Sequence, residues 1–263
     1  MLVKSRENEI VLITGGAGYI GSAIASTFAS YKSKLILVDF DKKSLERVKQ
    51  KLNKKYKISI DTYLCDLSNQ DMVYNLCQNI NKKYKKIDTV INSIGIVGTD
   101  DMQGWNEKFE NQSFDAWNKC MQVNLSSIFF MIQKIYKSLE KSKKASITNI
   151  SSIYGVVAPD WNIYENTNIN NPAAYSISKA GIVHMTKWLA SALAPKIRVN
   201  AVSPGGVFRN QQKIFVKKYI DKTLLKRMAI EDDIVGPVVF LSSTSASYIT
   251  GQNLIVDGGW TIK

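Results

Sequence analysis

The chain has 263 residues, 45% of them hydrophobic, enough for one large α/β domain with a sizeable core. Its formal charge of +13 comes from 35 basic residues, only five of them arginine (Arg6, Arg47, Arg198, Arg209 and Arg227). The lysines gather on polar stretches such as 42–57 and 82–86, with no aromatic interleaving to stack bases, so nucleic acid is not expected as a partner. A basic surface could still speed encounter with an anionic small molecule. No apolar run is long enough to span a bilayer, and residues 1–9 are polar and charged rather than signal-like. Cys65, Cys77 and Cys120 show neither metal nor redox spacing, so they read as reduced thiols of a cytoplasmic protein.

The pattern alternates strand and helix. Residues 10–14 form an apolar strand, 20–30 a helix with small residues on one side, and 34–39 a β-branched strand. Leu45, Val48 and Leu52 share one face of an amphipathic helix over 44–56. Strands follow at 59–64, 87–92, 146–150, 197–202 and 253–256, and helices at 70–83, 114–141, 173–194 and 231–242. About seven short apolar strands separated by helices predict a doubly wound parallel sheet in a single domain, 1–263. Ligands of such sheets bind outside the carboxyl ends of the strands.

Gly15, Gly18 and Gly21, with Tyr19 and Ile20 between them, follow the first strand and open the first helix. A pyrophosphate needs a tight turn and close backbone approach at a helix N-terminus, as in a Rossmann-type dinucleotide site. A Gly-rich strand–helix loop alone is weak evidence. Asp39, however, ends the second strand, where a carboxylate accepts from ribose hydroxyls and repels a 2′-phosphate. That favours NAD over NADP, with Lys42 and Lys43 close enough to soften the repulsion. Asp66, ahead of Leu67 at the end of the third strand, reads either as an acceptor for the adenine amino group or as a helix N-cap.

Tyr175 and Lys179 are four apart in a predicted helix and share a face. A nearby ammonium and a cationic ring lower a phenol's pKa and prepare it for proton transfer. In so lysine-rich a chain, with 12 tyrosines, such a pair arises about once by chance. Its company matters more: Asn92 and Gly95 after the fourth strand, Asn124 in Val-Asn-Leu-Ser, Ser151-Ser152-Ile153-Tyr154-Gly155 after the fifth, Ser203-Pro204-Gly205-Gly206 after the sixth, and the tail Val256-Asp257-Gly258-Gly259-Trp260.

In that order these pieces resemble the short-chain dehydrogenase/reductase family, compact branch, over nearly the whole chain. The resemblance implies a proton donor and acceptor at Tyr175, tuned by Lys179. It implies a substrate-oxygen contact at Ser152 and a water-positioning Asn124. Besides the Gly-rich turn, Asp39, Asp66 and Leu67, it places Asn92, Gly95, Tyr175, Lys179, Pro204, Gly205 and Val207 around the cofactor. It implies a homotetramer or homodimer, small-molecule substrates and no metal. His184, the only histidine, reads as structural.

Three departures stand out. Tyr19 occupies a position that is usually Gly in the compact branch, and the spacing resembles the extended branch of nucleotide-sugar epimerases and dehydratases. Arg209 stands where Thr usually meets the carboxamide, and a guanidinium there could hold an anionic substrate group. The Ser152–Tyr175 connection is long, and the stretch 157–171, with Trp161 and Tyr164, enters the cleft rim together with the enlarged segment 98–111. These aromatics and amides suit a polyhydroxylated ligand, or else a surface elaboration packed on itself or on a neighbouring subunit. Residues 208–226 read as a mobile lid. The wording after the fifth and sixth strands resembles a subgroup found with flagellin modification and nonulosonic-acid synthesis. The leading expectation is an NAD(P)-dependent oxidoreductase acting on a sugar-like alcohol or ketone. The alternatives are a 3-oxoacyl-carrier-protein reductase and an epimerase or dehydratase that retains NAD.

Overall fold

A computed structural model of the chain describes residues 6–97 and 102–263. Seven parallel strands make one sheet: β1 (Ile10–Thr14), β2 (Lys34–Asp39), β3 (Ile60–Leu64), β4 (Thr89–Asn92), β5 (Ala145–Ile150), β6 (Ile197–Pro204) and β7 (Asn253–Val256). Their order across the sheet is β3-β2-β1-β4-β5-β6-β7, so the winding reverses between β1 and β4. A crevice opens at such a reversal, at the carboxyl ends of the strands.

Strand alternation explains the two layers. Val11 and Ile13 face one side, where they join Phe28 of α1 (Tyr19–Ser30), Leu45 of α2 (Lys42–Tyr56) and Val238 of α8 (Glu231–Ser242). Leu12 faces the other, with Ile80 of α3 (Gln70–Lys83), Ile132 of α5 (Ser127–Glu140) and Ile182 of α6 (Ala173–Leu193). Both faces are covered, which is why the central strands read as near-continuous apolar runs.

Two boundaries differ from the sequence reading. Helix α2 begins two residues before Ser44 because the Asp41 carboxylate accepts from the Lys43 and Ser44 amides and caps it. The single helix expected over 114–141 is α4 (Phe114–Met121), a π-helical turn (Gln122–Ser126) and then α5. One extra residue in the turn carries Asn124, and such bulges loosen the regular ladder of backbone hydrogen bonds. Between β6 and α8 lies α7 (Lys213–Lys222). Among the described residues no helix is long and apolar enough to cross a membrane.

Candidate active site

The dinucleotide turn is fixed by backbone contacts that leave no room for side chains. A Cβ on Gly21 would lie 2.0 Å from the Gly15 carbonyl oxygen. Gly15 has φ +64°, and its Cβ would meet the Ser93 carbonyl oxygen at 2.8 Å. The first turn of α1 starts after Gly18 with no side-chain cap, so its leading amides stay available to an anion. Asp39 is buried at the end of β2, and its Oδ2 accepts from the Ala17 amide at 3.0 Å while Oδ1 accepts from Phe40 at 2.8 Å. It therefore braces the turn in addition to whatever it offers a ligand. Asp66 is exposed, and its Oδ1 accepts from the Ser68 amide and hydroxyl. The cap of α3 is Asn69, not Asp66, so the N-cap alternative falls. Leu67 beside it is buried in the core.

The catalytic candidates hang on β4, β5 and α6. Ser152 leaves β5 and accepts from the Tyr154 amide at 3.2 Å. Tyr175 and Lys179 occupy the first turns of α6, with the ammonium 5.8 Å from the Tyr175 ring centre. The Lys179 Nζ is buried and donates to the Ile150 carbonyl at 3.1 Å. Gly95 brings the chain after β4 against this group, since a Cβ there would stand 3.1 Å from Lys179 Nζ and 3.7 Å from Asn124 Oδ1. Asn124 is fully buried and clasps both polar groups of Ile96, accepting from its amide at 2.7 Å and donating to its carbonyl at 3.0 Å. It also donates to the Ser178 hydroxyl at 3.1 Å. Thus Asn124, Ser152, Tyr175 and Lys179, separated by up to 55 positions in the chain, come together at the carboxyl ends of the central strands β4 and β5.

Burial sets the electrostatics of this shelf. It pushes the Tyr175 phenol up to about 12, with the Ser152 hydrogen bond pulling in the opposite direction. It pushes the Lys179 ammonium down to about 8. At neutral pH the phenol holds its proton and the lysine is still mostly charged.

Asn92 is also brought close, but its side chain is fully buried in the sheet and donates to Asn149 Oδ1 at 2.8 Å. Asn149 in turn donates to Thr186 on α6. Asn92 acts here by tying β4, β5 and α6 together. After β6, Pro204 ends the strand and the Gly205 amide bonds the Val256 carbonyl at 2.9 Å. Val207 pairs with Ala229, and its carbonyl accepts from the Gln211 side chain at 2.8 Å.

Residues 98–101 of the segment 98–111 lie outside the described residues. Trp105 is buried, donates to the Val97 carbonyl at 2.8 Å, and packs with Ala116, Cys120, Ala174 and Tyr175. It belongs to the small apolar cluster against which Tyr175 packs. The stretch 157–171 packs on α7: Tyr164 lies 5.7 Å from the Phe215 ring, and Lys218 donates to the Asn162 and Glu165 carbonyls at 2.6 and 2.9 Å. Lys222 pairs with Asp160. Trp161 is exposed at the edge of this aromatic row, tilted against Tyr164. The Tyr164 hydroxyl bonds the Tyr154 hydroxyl at 2.6 Å. The insert and the predicted lid thus form one packed body, so the self-packing alternative describes most of the stretch.

Arg209 sits over Tyr19, its guanidinium carbon 4.4 Å from the ring centre, and pairs with Glu231 at 2.7 Å. It is therefore placed against the dinucleotide turn. Sequence reasoning gave no role to Tyr154, Ser178 or Tyr219. Tyr154 lay in the quoted motif after β5, whereas Ser178 and Tyr219 carried no spacing signal at all.

Comparisons with known proteins agree with this geometry. A family model described as enoyl-(acyl carrier protein) reductase matches residues 15–261. The chain is similar to the post-translational flagellin modification protein A of Campylobacter coli, with 34% identity over 97% of this chain and 98% of that protein. It is similar to a probable galactose dehydrogenase of Rhizobium meliloti, with 31% identity over 95% of this chain and 93% of that protein. A crystal structure of a short chain dehydrogenase from Leptospira borgpetersenii with bound NAD+ superposes with a TM-score of 0.85 and 35% identity, covering 99% of this chain and 97% of that one.

Proposed function

The chain belongs to the short-chain dehydrogenase/reductase family of oxidoreductases, and from that premise we propose that it is an NAD-dependent dehydrogenase or reductase of a sugar or sugar-phosphate-like secondary alcohol or ketone. The observation that carries this reading is the gathering of Ser152, Tyr175 and Lys179 beside Asn124 at the strand ends, next to a glycine turn that only backbone can fill.

A nicotinamide dinucleotide fits the residues present. The Gly15–Gly21 contact, the uncapped start of α1 and the carboxylate of Asp39 suit a pyrophosphate followed by a ribose. Gly15, Gly18, Tyr19, Ile20 and Gly21 would hold the pyrophosphate. Asp39 would hold the adenosine ribose, with Asp66 and Leu67 at the adenine. Asn92 and Gly95 would back the sugar. Pro204, Gly205 and the amide of Val207 would face the nicotinamide, since the Val207 carbonyl is already used. The bound nicotinamide gives or takes the hydride.

The chain's own residues handle the proton. In reduction the Tyr175 hydroxyl donates to the substrate oxygen, and in oxidation its phenolate accepts from the alcohol. The Ser152 hydroxyl would bond that same oxygen. Lys179 stabilises the phenolate that forms. Asn124 holds Ile96 and Ser178, and so fixes the far end of the path along which the proton is replaced.

Asp39 supports NAD over NADP because a buried carboxylate at that position repels a 2′-phosphate. The exposed Trp161 and the relatives named above support a polyhydroxylated substrate. Leu254 and Ile255, exposed on edge strand β7, support assembly as a homotetramer or homodimer. Similarity to a 3-oxoacyl-[acyl-carrier-protein] reductase of Thermotoga maritima, 32% identical over 97% of this chain and 99% of that protein, favours a second reading, reduction of a carrier-bound 3-oxoacyl group.

The test follows absorbance at 340 nm with NAD and NADP across amino sugars, sugar phosphates and nucleotide sugars. Turnover with NAD on one class is expected. No change in either direction across the panel overturns the substrate class. Activity on an acetoacetyl thioester with NADPH establishes the second reading instead.

A further inference from the structure

The two departures at Tyr19 and Arg209, nearly two hundred positions apart, are one contact in the folded chain. The Arg209 guanidinium carbon lies 4.4 Å above the Tyr19 ring, within cation–π range. Tyr19 is the first residue of α1, the helix whose N-terminus closes the dinucleotide turn. The strap that carries Arg209 is held in place. The Phe208 amide bonds the Ala229 carbonyl at 2.9 Å, the Ala229 amide bonds the Gly206 carbonyl at 3.0 Å, and the Arg209 amide bonds Gln211 Oε1 at 2.7 Å. On the guanidinium itself, the Glu231 carboxylate and the Phe208 carbonyl both engage Nη1, at 2.7 and 2.8 Å. Among the described residues Nε and Nη2 make no hydrogen bond.

We propose that Arg209 grips the pyrophosphate of the bound dinucleotide and works with Tyr19 as a latch between the strap and the glycine turn, so that it serves the cofactor rather than an anionic substrate group. The inference rests on the dinucleotide reading above. A diphosphate at the start of α1 places two negative charges beside the Arg209–Tyr19 stack. A guanidinium offers phosphate paired N–H donors in one plane, which neither the Thr usual at this position nor a lysine can supply. Glu231 orients the fork through Nη1 and leaves the other nitrogens for the ligand. Tyr19 gives the planar cation a face to rest on while keeping the helix amides clear.

Binding of ADP-ribose and of adenosine, followed by calorimetry without any substrate, separates the possibilities. Arg209→Ala is expected to weaken ADP-ribose about tenfold and leave adenosine within about twofold, the loss of one charge-assisted contact. Arg209→Lys is expected to fall between the two, and Tyr19→Gly to weaken ADP-ribose about threefold. An unchanged melting temperature of each variant shows that the fold is intact. If the Arg209→Ala protein binds ADP-ribose as tightly as the original while the KM of its substrate rises, Arg209 belongs to the substrate side and the latch is wrong. If the original protein does not bind ADP-ribose at all, the dinucleotide reading falls, and the latch with it.

Discussion

The catalytic shelf hangs on regular structure: Ser152 leaves β5, Lys179 reaches the Ile150 carbonyl, and Tyr175 sits one helical turn away on α6. The rim beside it joins an irregular stretch, 157–171, to the short helix α7. It is held by an aromatic row from Trp161 through Tyr164, Phe215 and Tyr219 to Trp260, and by lysines of α7 bonding the carbonyls of residues 162 and 165. The first construction places reacting groups with the precision of a sheet. The second can be rebuilt without disturbing the first. A family with one chemistry and many substrates needs this separation.

The sharpest way to separate the two regions is Tyr175→Phe. It removes only the proton carrier from the shelf, so kcat should fall about 1,000-fold while dinucleotide affinity stays within about twofold. Steady-state kinetics alongside a binding isotherm checks this. A smaller loss would mean that another group can carry the proton.

Lys179→Met strains the comparison from the stability side. Burial pushes the pKa of the folded lysine down to about 8, against 10.5 for a lysine in water, so its burial opposes folding fully below pH 8. That cost fades as pH rises from about 8 towards 10.5, where the folded chain has released the proton and the unfolded chain still holds it. At pH 7 the variant should be more stable by about 2 kcal/mol, after discounting the lost bond to Ile150, yet nearly inactive. The gap should close near pH 10. Urea melts across this range would show a constant gap if burial were not the cause.

Tyr164→Phe probes the rim and carries the smallest expected effect. It removes the hydroxyl bonded to Tyr154 and should cost about 1 kcal/mol of stability. The substrate KM should move several-fold and kcat less than twofold. A large fall in kcat with KM unchanged would put Tyr164 on the shelf side of the division.

The order of strands and helices was legible because the apolar period switches between two and 3.6 along the chain. The Gly-rich turn, Asp39 and Ser152 were legible because each stands at a strand end, and Tyr175 and Lys179 because their four-residue spacing puts them on one helix face. The π-helical turn at Asn124 was not, since one extra residue in a helix leaves no mark on composition. Nor was the Asp41 cap, which competed with Ser44 as a start signal. Asn92 was legible as a position but not as a direction. Its side chain turns into the sheet, towards Asn149 and Thr186.

The sequence by itself determined the architecture and the family, because these depend on periodicity and on an ordered set of motifs, and it named the candidate reacting groups. Only the tertiary structure decided that Arg209 meets Tyr19 and that the 157–171 stretch and α7 form one body. It also showed that Trp105 and Tyr175 share one apolar cluster. Those contacts join segments far apart in the chain through side chains on irregular backbone, where no period links one partner to the other.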